Sequence, residues 1–170
     1  MDCPKKRSDM ERVHRIQSHP LFQTLRTSLQ EAEKDRVFCR HTMEHFLDVA
    51  RLMYIYALED GAALRKDVIY AAALLHDIGR YEQLVSGTPH DVAGTRLAGE
   101  IMQDCGFTAD EIRSVQSAVS EHRGQDNEND RKILSAYLYR ADKASRLCFV
   151  CPAQAACNWS EEKKNHWIEY

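Results

Sequence analysis

The segment Leu74-Leu75-His76-Asp77-Ile78-Gly79-Arg80 decides the fold of this 170-residue chain. An alanine-rich apolar run ends there in an adjacent histidine and aspartate, and a glycine follows two positions later. Neighbouring side chains on a helix diverge by about 100°, so His76 and Asp77 reach one site together only where a helix ends or breaks. The pair by itself is more often a hydrogen-bonded buried histidine beside a capping aspartate, so other residues must decide between a structural and a metal-binding role.

Helical patterning extends on both sides of this segment. Ser18 is expected to cap a helix that begins near Pro20 and runs to about Lys34. Thr108 and Glu111 form a capping box that opens another helix. The helix opened by this capping box is predicted over 108–122. The other predicted helices span 36–59, 65–78, 91–105 and 131–147, with a short last one from Ser160. No window of four or more residues alternates as a strand would, so the sequence predicts an all-α single domain, a helical bundle.

Composition and charge narrow the class of protein. The chain is 44% hydrophobic and 29% charged, which excludes a disordered or low-complexity protein. Its 23 basic and 26 acidic residues give a net charge of −3, without the basic excess of a duplex-binding domain. A membrane-spanning helix needs about 20 apolar residues, and the longest apolar runs are far shorter. The basic N-terminus lacks the apolar stretch of a secretory signal, so we expect a cytoplasmic protein without a membrane partner.

More histidines and a second aspartate occur at helical positions away from the His-Asp pair. His45 lies on an otherwise apolar helix face, His90 begins a helix, and His122 ends one. Asp142 is flanked by residues that are expected to be buried, where a carboxylate is costly unless it is paired or metal-bound. Four histidines and two aspartates suit Fe, Mn, Co, Ni or Zn better than Mg.

The order of these residues resembles the HD superfamily of metal-dependent phosphohydrolases. The resemblance rests on the His76-Asp77-Ile78-Gly79 tetrad, on His45 four residues before a Val-Ala pair, and on Asp142 downstream. It implies an N-terminal helical extension (1–35), an HD domain (36–147) and a Cys-rich C-terminal tail with a short helix (148–170). His90 and His122 resemble the extra ligands of the subgroup that assembles a two-metal site. Diadenosine tetraphosphatases of that subgroup share a GxxHxxxG-like segment, here residues 87–94.

The resemblance implies roles for individual side chains. The expected core metal ligands are His45, His76, Asp77 and Asp142, and His90 and His122 would complete a second ion. Arg80, Lys143 and Arg146 are the residues expected to meet a phosphate group. His41 lies one turn before His45 on the same face; only His45 stands at the family's offset, which leaves His41 near the ligands or on the surface, although a swap of roles stays open.

The implied reaction is hydrolysis of a phosphoester or phosphoanhydride in a nucleotide or a similar small phosphorylated metabolite. Metal-activated water would be the nucleophile, and no side chain is needed as a covalent one. Two alternatives stay open. One is a di-iron HD-fold oxygenase with a similar ligand set, and the other is a catalytically silent module that senses metal or redox state. A homodimer is compatible with the sequence.

Cysteines in the C-terminal tail depart from the plain HD pattern. Cys148, Cys151 and Cys157 have the spacing Cys-x2-Cys-x5-Cys, which is one ligand short of a closed tetrahedral zinc site. Cys39, at the start of the predicted helix that bears His45, is the candidate fourth ligand. The four thiols would suit zinc or an iron–sulfur cluster, and the alternative is a reduced cluster that only packs the tail.

Overall fold

The structure is a computed structural model that describes residues 10–121 and 134–170. In chain order its α-helices are α1 (Glu11–Ser18), α2 (Pro20–Ala32), α3 (Met43–Glu59), α4 (Lys66–Leu75), α5 (Arg80–Ser86), α6 (His90–Asp104), α7 (Ala109–Glu121) and α8 (Leu134–Ala144). Three 3-10 turns follow, Cys148–Val150, Gln154–Ala156 and Glu161–Lys163. The described residues contain no β-strand, so the prediction of an all-α bundle is confirmed.

Helix α4 lies at the centre of the bundle. It contacts α3 and α7 most extensively, and also α1, α8 and α6. Ala71, Ala72 and Ala73 are fully buried, together with Ile69 and Leu75. Small side chains allow other helices to approach α4 on every side, and a helix that is apolar all round is stable only when it is buried. The His-Asp pair at its C-terminal end is therefore held in the interior.

The N-terminal helices join the same core. Ile16 of α1 and Phe22 of α2 are fully buried within it. Arg12 fastens α1 to two other helices, because its guanidinium donates to Asp67 of α4 and to Glu111 of α7 (Nη1–Oε2, 2.6 Å). A large apolar side chain contributes about 1.5–3 kcal/mol on full burial, so this segment adds to the stability of the bundle.

The predicted helix of residues 36–59 is wrong over its first seven residues, about two turns. Helix α3 begins at Met43, where Oγ1 of Thr42 accepts a hydrogen bond from the backbone N–H of His45 (3.4 Å). The preceding segment folds back instead, and the backbone N–H of His41 donates to the carboxylate of Glu33 (2.9 Å). The contact between Glu33 and His41, eight residues apart, thus prevents the helix that the apolar periodicity of this segment predicts.

Other helix ends also differ from the predictions. The cap of α2 is His19 rather than Ser18, because Pro20 occupies the first helical position and the ring of His19 accepts from Leu21 N–H. Helix α8 ends at Ala144, short of residue 147, since the amide of Asn165 donates to backbone carbonyls of residues 143, 144 and 146. The short helices α1 and α5 were not predicted.

The predicted capping box is confirmed, and two helices are followed by glycines with positive φ angles. Thr108 and Glu111 form the reciprocal capping box, with backbone N–H to side-chain distances of 2.9 and 3.3 Å. Gly61 and Gly106, which follow the C-terminal ends of α3 and α6, have φ angles of 62° and 82°, a conformation that favours glycine. Within the described residues, no helix is both long enough and apolar enough to cross a membrane.

Candidate metal centre

Four buried side chains from three parts of the chain meet at one point. Their ligand atoms all lie within 4.8 Å of one another, and they belong to His45, His76, Asp77 and Asp142. Nε2 of His76 is 3.0 Å from Oδ2 of Asp77, and Nε2 of His45 is 3.4 Å from Oδ1 of Asp142. Two imidazoles and two carboxylates are a donor set that transition-metal ions bind, so this cluster fits a divalent metal site.

The end of α4 brings His76 and Asp77 together. The helix ends at Leu75, and the next four residues form a tight turn before α5 begins at Arg80. This break lets two adjacent side chains point at one site, as the geometry of a regular helix would not. His45 comes from the first turn of α3, and Asp142 comes from the last turn of α8.

Hydrogen bonds fix which nitrogen each histidine presents. Nδ1 of His76 donates to the backbone carbonyl of Ala73 (2.7 Å), so Nε2 faces the site. The hydroxyl of Ser145 donates to the carbonyl of Asp142 (2.9 Å), and Nδ1 of His45 in turn donates to that hydroxyl oxygen (3.2 Å). Outer hydrogen bonds of this kind set the tautomer and orientation of metal-binding histidines.

The electrostatics of the cluster favour bound positive charge. Burial and the guanidinium of Arg146 lower the pKa of His45 to about 4, against the opposing effect of Asp142. Burial disfavours the charged form of His76, but Asp77 and Asp142 outweigh burial and raise its pKa to about 10. Despite burial, the histidines hold the pKa values of both carboxyl groups well below the usual range. The carboxylates are therefore anionic, and a metal ion would displace the proton of His76.

His41 and Glu33 extend the cluster. Oε1 of Glu33 is 2.7 Å from Nδ1 of His41, and Nε2 of the same ring lies 3.5 Å from Oδ2 of Asp77. His41 is 4% exposed, so it is not a surface residue but a neighbour of the ligands. Sequence reasoning missed Glu33. The only signal for it is its place one turn after the buried Leu29, on the same helix face.

His90 approaches the same carboxylate from the opposite side. It is the first residue of α6, it is fully buried, and its Nε2 lies 3.8 Å from Oδ1 of Asp77. The two oxygens of Asp77 thus face different histidines, as a bridging carboxylate requires. His122, the other candidate for a second ion, lies outside the described residues.

Basic side chains surround the carboxylates. Arg80 Nε donates to Asp77 Oδ1 (2.7 Å), and Lys143 Nζ donates to Asp142 Oδ2 (2.9 Å). Arg146, 9% exposed, donates from Nη2 to Asp142 Oδ1 (3.1 Å) and to Nε2 of His45 (3.0 Å). All three predicted phosphate-binding residues therefore lie against the cluster.

A cavity of about 470 Å³ opens beside the cluster. Asp142 and His41 form part of its wall on the side of the candidate metal ligands. The basic residues that line it are Arg36, Arg80, Lys143, Arg146 and Lys164, and the cysteines are Cys39, Cys148, Cys151 and Cys157. The structure thus brings the predicted cysteine set to the same cavity as the predicted phosphate-binding residues.

Comparison with known proteins gives a family match and a similar fold. The HD domain family matches residues 42–147. A protein of Clostridium beijerinckii named only as uncharacterized is 41% identical over 81% of this chain and 85% of its own. A bifunctional uridylyltransferase/uridylyl-removing enzyme of Cereibacter sphaeroides is 35% identical over 49% of this chain, but over only 8% of that enzyme.

A solved structure shares the arrangement of helices. It is the crystal structure of a "predicted HD superfamily hydrolase" from an uncultured Thermotogales bacterium, with a TM-score of 0.61 and 20% sequence identity. The match covers 85% of this chain and 79% of the other. At this identity the comparison establishes a common fold, and the site geometry must carry any functional argument.

Proposed function

The chain belongs to the HD-domain family, and from its site we propose that it is a metal-dependent phosphohydrolase. The proposed substrate is a nucleotide or a similar small phosphorylated metabolite, cleaved at a phosphoester or phosphoanhydride bond. The name of one similar protein, a bifunctional uridylyltransferase/uridylyl-removing enzyme, agrees with this class of reaction.

The observation that carries the proposal is that one cavity is lined both by Asp142 of the His/Asp cluster and by a set of basic side chains. A metal ion held by His45, His76, Asp77 and Asp142 supplies the activation of water, whose pKa falls from about 15.7 to about 7 on coordination. The cationic wall of the cavity supplies the other requirement of phosphoryl chemistry, which is compensation of negative charge on the substrate.

Each basic residue has a distinct place in this proposal. Arg80 and Lys143 are bonded to the carboxylates of Asp77 and Asp142, which keeps those ligands oriented. Arg146 donates to the same His45 nitrogen that a metal ion would use. A metal ion and Arg146 would compete for the lone pair of His45 Nε2. A guanidinium displaced from this nitrogen stays next to the ion, and is therefore within reach of a phosphate group bound beside it. A guanidinium can hold two phosphate oxygens through parallel hydrogen bonds.

The proposal includes a second ion. Asp77 faces His76 with one oxygen and His90 with the other, and the sequence resemblance to the two-metal, diadenosine tetraphosphatase-like subgroup adds His122. Two cations of this kind stabilise both the attacking and the leaving oxygen of a displacement. We therefore expect His122→Ala to bind about half as much metal as the parent rather than none.

The test is a screen of phosphorylated metabolites with protein loaded anaerobically with iron, manganese, cobalt, nickel or zinc. The parent should release phosphate or a nucleotide product, and Asp77→Asn should lose both the metal and the turnover. Asp48→Asn is the matched control, because Asp48 lies on the exposed side of α3 near Arg51.

Three results would contradict the proposal. Unchanged metal content in Asp77→Asn would refute the ligand assignment. Oxygen consumption without phosphate release would favour the di-iron oxygenase. A metal-loaded parent that cleaves none of the phosphorylated compounds would favour the regulatory module.

A further inference from the structure

Cys39 and three cysteines of the C-terminal tail, which are distant from it in the sequence, line one cavity. Cys39 lies in the irregular segment before α3, whereas Cys148, Cys151 and Cys157 lie in and beside the 3-10 turns after α8. All four are unpaired thiols that are buried or half-buried. The tertiary fold brings Cys39 close to the C-terminal tail, because α3, which follows Cys39, packs against α8, which precedes the tail.

The thiols are close enough to influence one another. Burial raises the pKa of the Cys39 thiol, Cys148 and Cys151 raise it further, and Arg146 lowers it. The ammonium group of Lys164 lies in the field of Cys157 and Cys148, and the side chain of Lys164 is only 6% exposed. Lys164 thus adds buried positive charge beside the cysteines that line the cavity.

Some of the four sulfur atoms lie further apart than the thiolates around a single zinc ion. Tetrahedral zinc with Zn–S bonds of about 2.3 Å holds its thiolates about 3.8 Å apart. Within residues 10–121 and 134–170, no three cysteine sulfurs lie within 4.8 Å of one another. An iron–sulfur cluster places several iron and sulfide ions between its thiolates, and therefore holds them further apart than one ion does.

The charge of the cavity also suits such a cluster. Four thiolates and the inorganic sulfides leave an iron–sulfur cluster with net negative charge. The cationic side chains around the thiols are Arg36, Lys143, Arg146 and Lys164. Cations and hydrogen-bond donors beside the sulfur atoms stabilise clusters of this type.

We propose that Cys39, Cys148, Cys151 and Cys157 bind an iron–sulfur cluster that fastens the C-terminal tail to the start of α3. The four cysteines form part of the wall of the cavity that Asp142, one of the candidate metal ligands, also lines. Cys148 follows Arg146 by two residues, so the cluster also holds the backbone that carries this arginine. The proposal is independent of the reaction assigned to the His/Asp centre.

The test separates cluster iron from iron at the His/Asp centre by measuring acid-labile sulfide. The full-length protein is reconstituted anaerobically with ferrous iron and sulfide, desalted, and analysed for iron, sulfide, zinc, visible absorption and electron paramagnetic resonance after reduction. The parent should carry sulfide and iron. Serine replacements of each of the four cysteines should lose the sulfide, whereas Cys105→Ala should keep it, since Cys105 is buried at the end of α6 away from the cavity. Asp77→Asn should also retain the sulfide.

A second measurement uses the parent protein alone, in case the serine variants do not fold. Reconstituted protein is alkylated before and after removal of iron with a chelator, and the modified cysteines are identified by mass spectrometry. Cys39, Cys148, Cys151 and Cys157 should be protected until iron is removed. Parent protein without labile sulfide, one equivalent of zinc held by these four thiols, or equal alkylation before and after chelation would each overturn the proposal.

Discussion

Gly79 is the position at which the fold and the candidate metal centre are most tightly linked. A Cβ atom there would lie 2.2 Å from the carbonyl oxygen of His90 and 2.5 Å from the backbone nitrogen of Gly94. Both atoms belong to the backbone of α6, so neither can rotate away. The glycine has an ordinary right-handed helical conformation, and its role is therefore close approach rather than unusual dihedral angles.

The cost of Gly79→Ala follows from this geometry. Ordinary contacts of a Cβ atom begin near 3.4 Å, so α6 would have to move by roughly 1 Å in a close-packed interior. Overpacking costs about 1–3 kcal/mol and sometimes more, and a clash with backbone belongs at the upper end. For a protein of this size, about 3 kcal/mol lowers Tm by about 6–12 °C. The same movement would carry His90 away from Asp77.

Gly94→Ala is the matched control on the other side of the contact. Its Cβ would lie 3.1 Å from Cγ1 of Val119, a side chain that can adjust. The gain in helix propensity from glycine to alanine, about 1 kcal/mol, offsets that strain, so Tm should stay within about 4 °C of the parent. Thermal unfolding followed by circular dichroism measures both variants. A Gly79→Ala protein that melts like the parent, or a Gly94→Ala protein that loses as much stability, would refute the reasoning.

Three further substitutions test the centre and the bundle. Arg146→Lys should keep the metal but lower kcat/KM for bis-p-nitrophenyl phosphate about 10- to 100-fold in steady-state assays, because lysine cannot reproduce the guanidinium contacts with phosphate. Glu33→Gln should weaken metal binding about 10-fold in competition with a chelating dye, because the carboxylate that orients His41 is lost. Glu111→Gln should flatten the pH dependence of the unfolding free energy in urea titrations. Arg12 lowers the pKa of Glu111 from 4.5 to about 2, so its contribution is complete above about pH 4.5 and is lost as the pH falls toward 2.

Exposed residues of the same type provide the controls. Arg140→Lys, on the exposed side of α8, is the control for Arg146→Lys and should leave the kinetics unchanged. Glu31→Gln is the control for Glu33→Gln and should leave the metal affinity unchanged. Glu100→Gln is the control for Glu111→Gln and should leave the acid stability unchanged. Parental kinetics in Arg146→Lys would mean that this guanidinium does not meet the substrate. A parental dissociation constant in Glu33→Gln, or an unchanged pH dependence in Glu111→Gln, would show that the corresponding contact is energetically silent.

Local signals in the sequence were sufficient where the structure depends on neighbouring residues. The capping box of Thr108 and Glu111, the closing glycines at 61 and 106, and the helical class of the bundle follow from short-range hydrogen bonding and from the period of apolar residues. The sequence also predicted a helix end close to the His-Asp pair, although it placed that end at residue 78 and α4 ends at Leu75.

Long-range contacts decided what the sequence left open. The turn before α3 exists because Glu33 binds both the backbone and the ring of His41. Its place one turn after Leu29 is the only local feature that distinguishes Glu33 from a solvated charge. In the same way, the sequence left His41 as a neighbour of the ligands or a surface residue, and the tertiary structure buried it, with its ring against Glu33.

The sequence by itself determined the helical bundle, the candidate ligands and the set of four cysteines, because residue type and periodicity carry that information. The tertiary structure decided which of these residues meet. It placed His45, His76, Asp77 and Asp142 within one buried cluster, and it joined the phosphate-binding candidates and the cysteines in one cavity. The physical reason is that helix packing sets distances between residues distant in the chain, whereas sequence spacing fixes geometry only within a few turns of one helix.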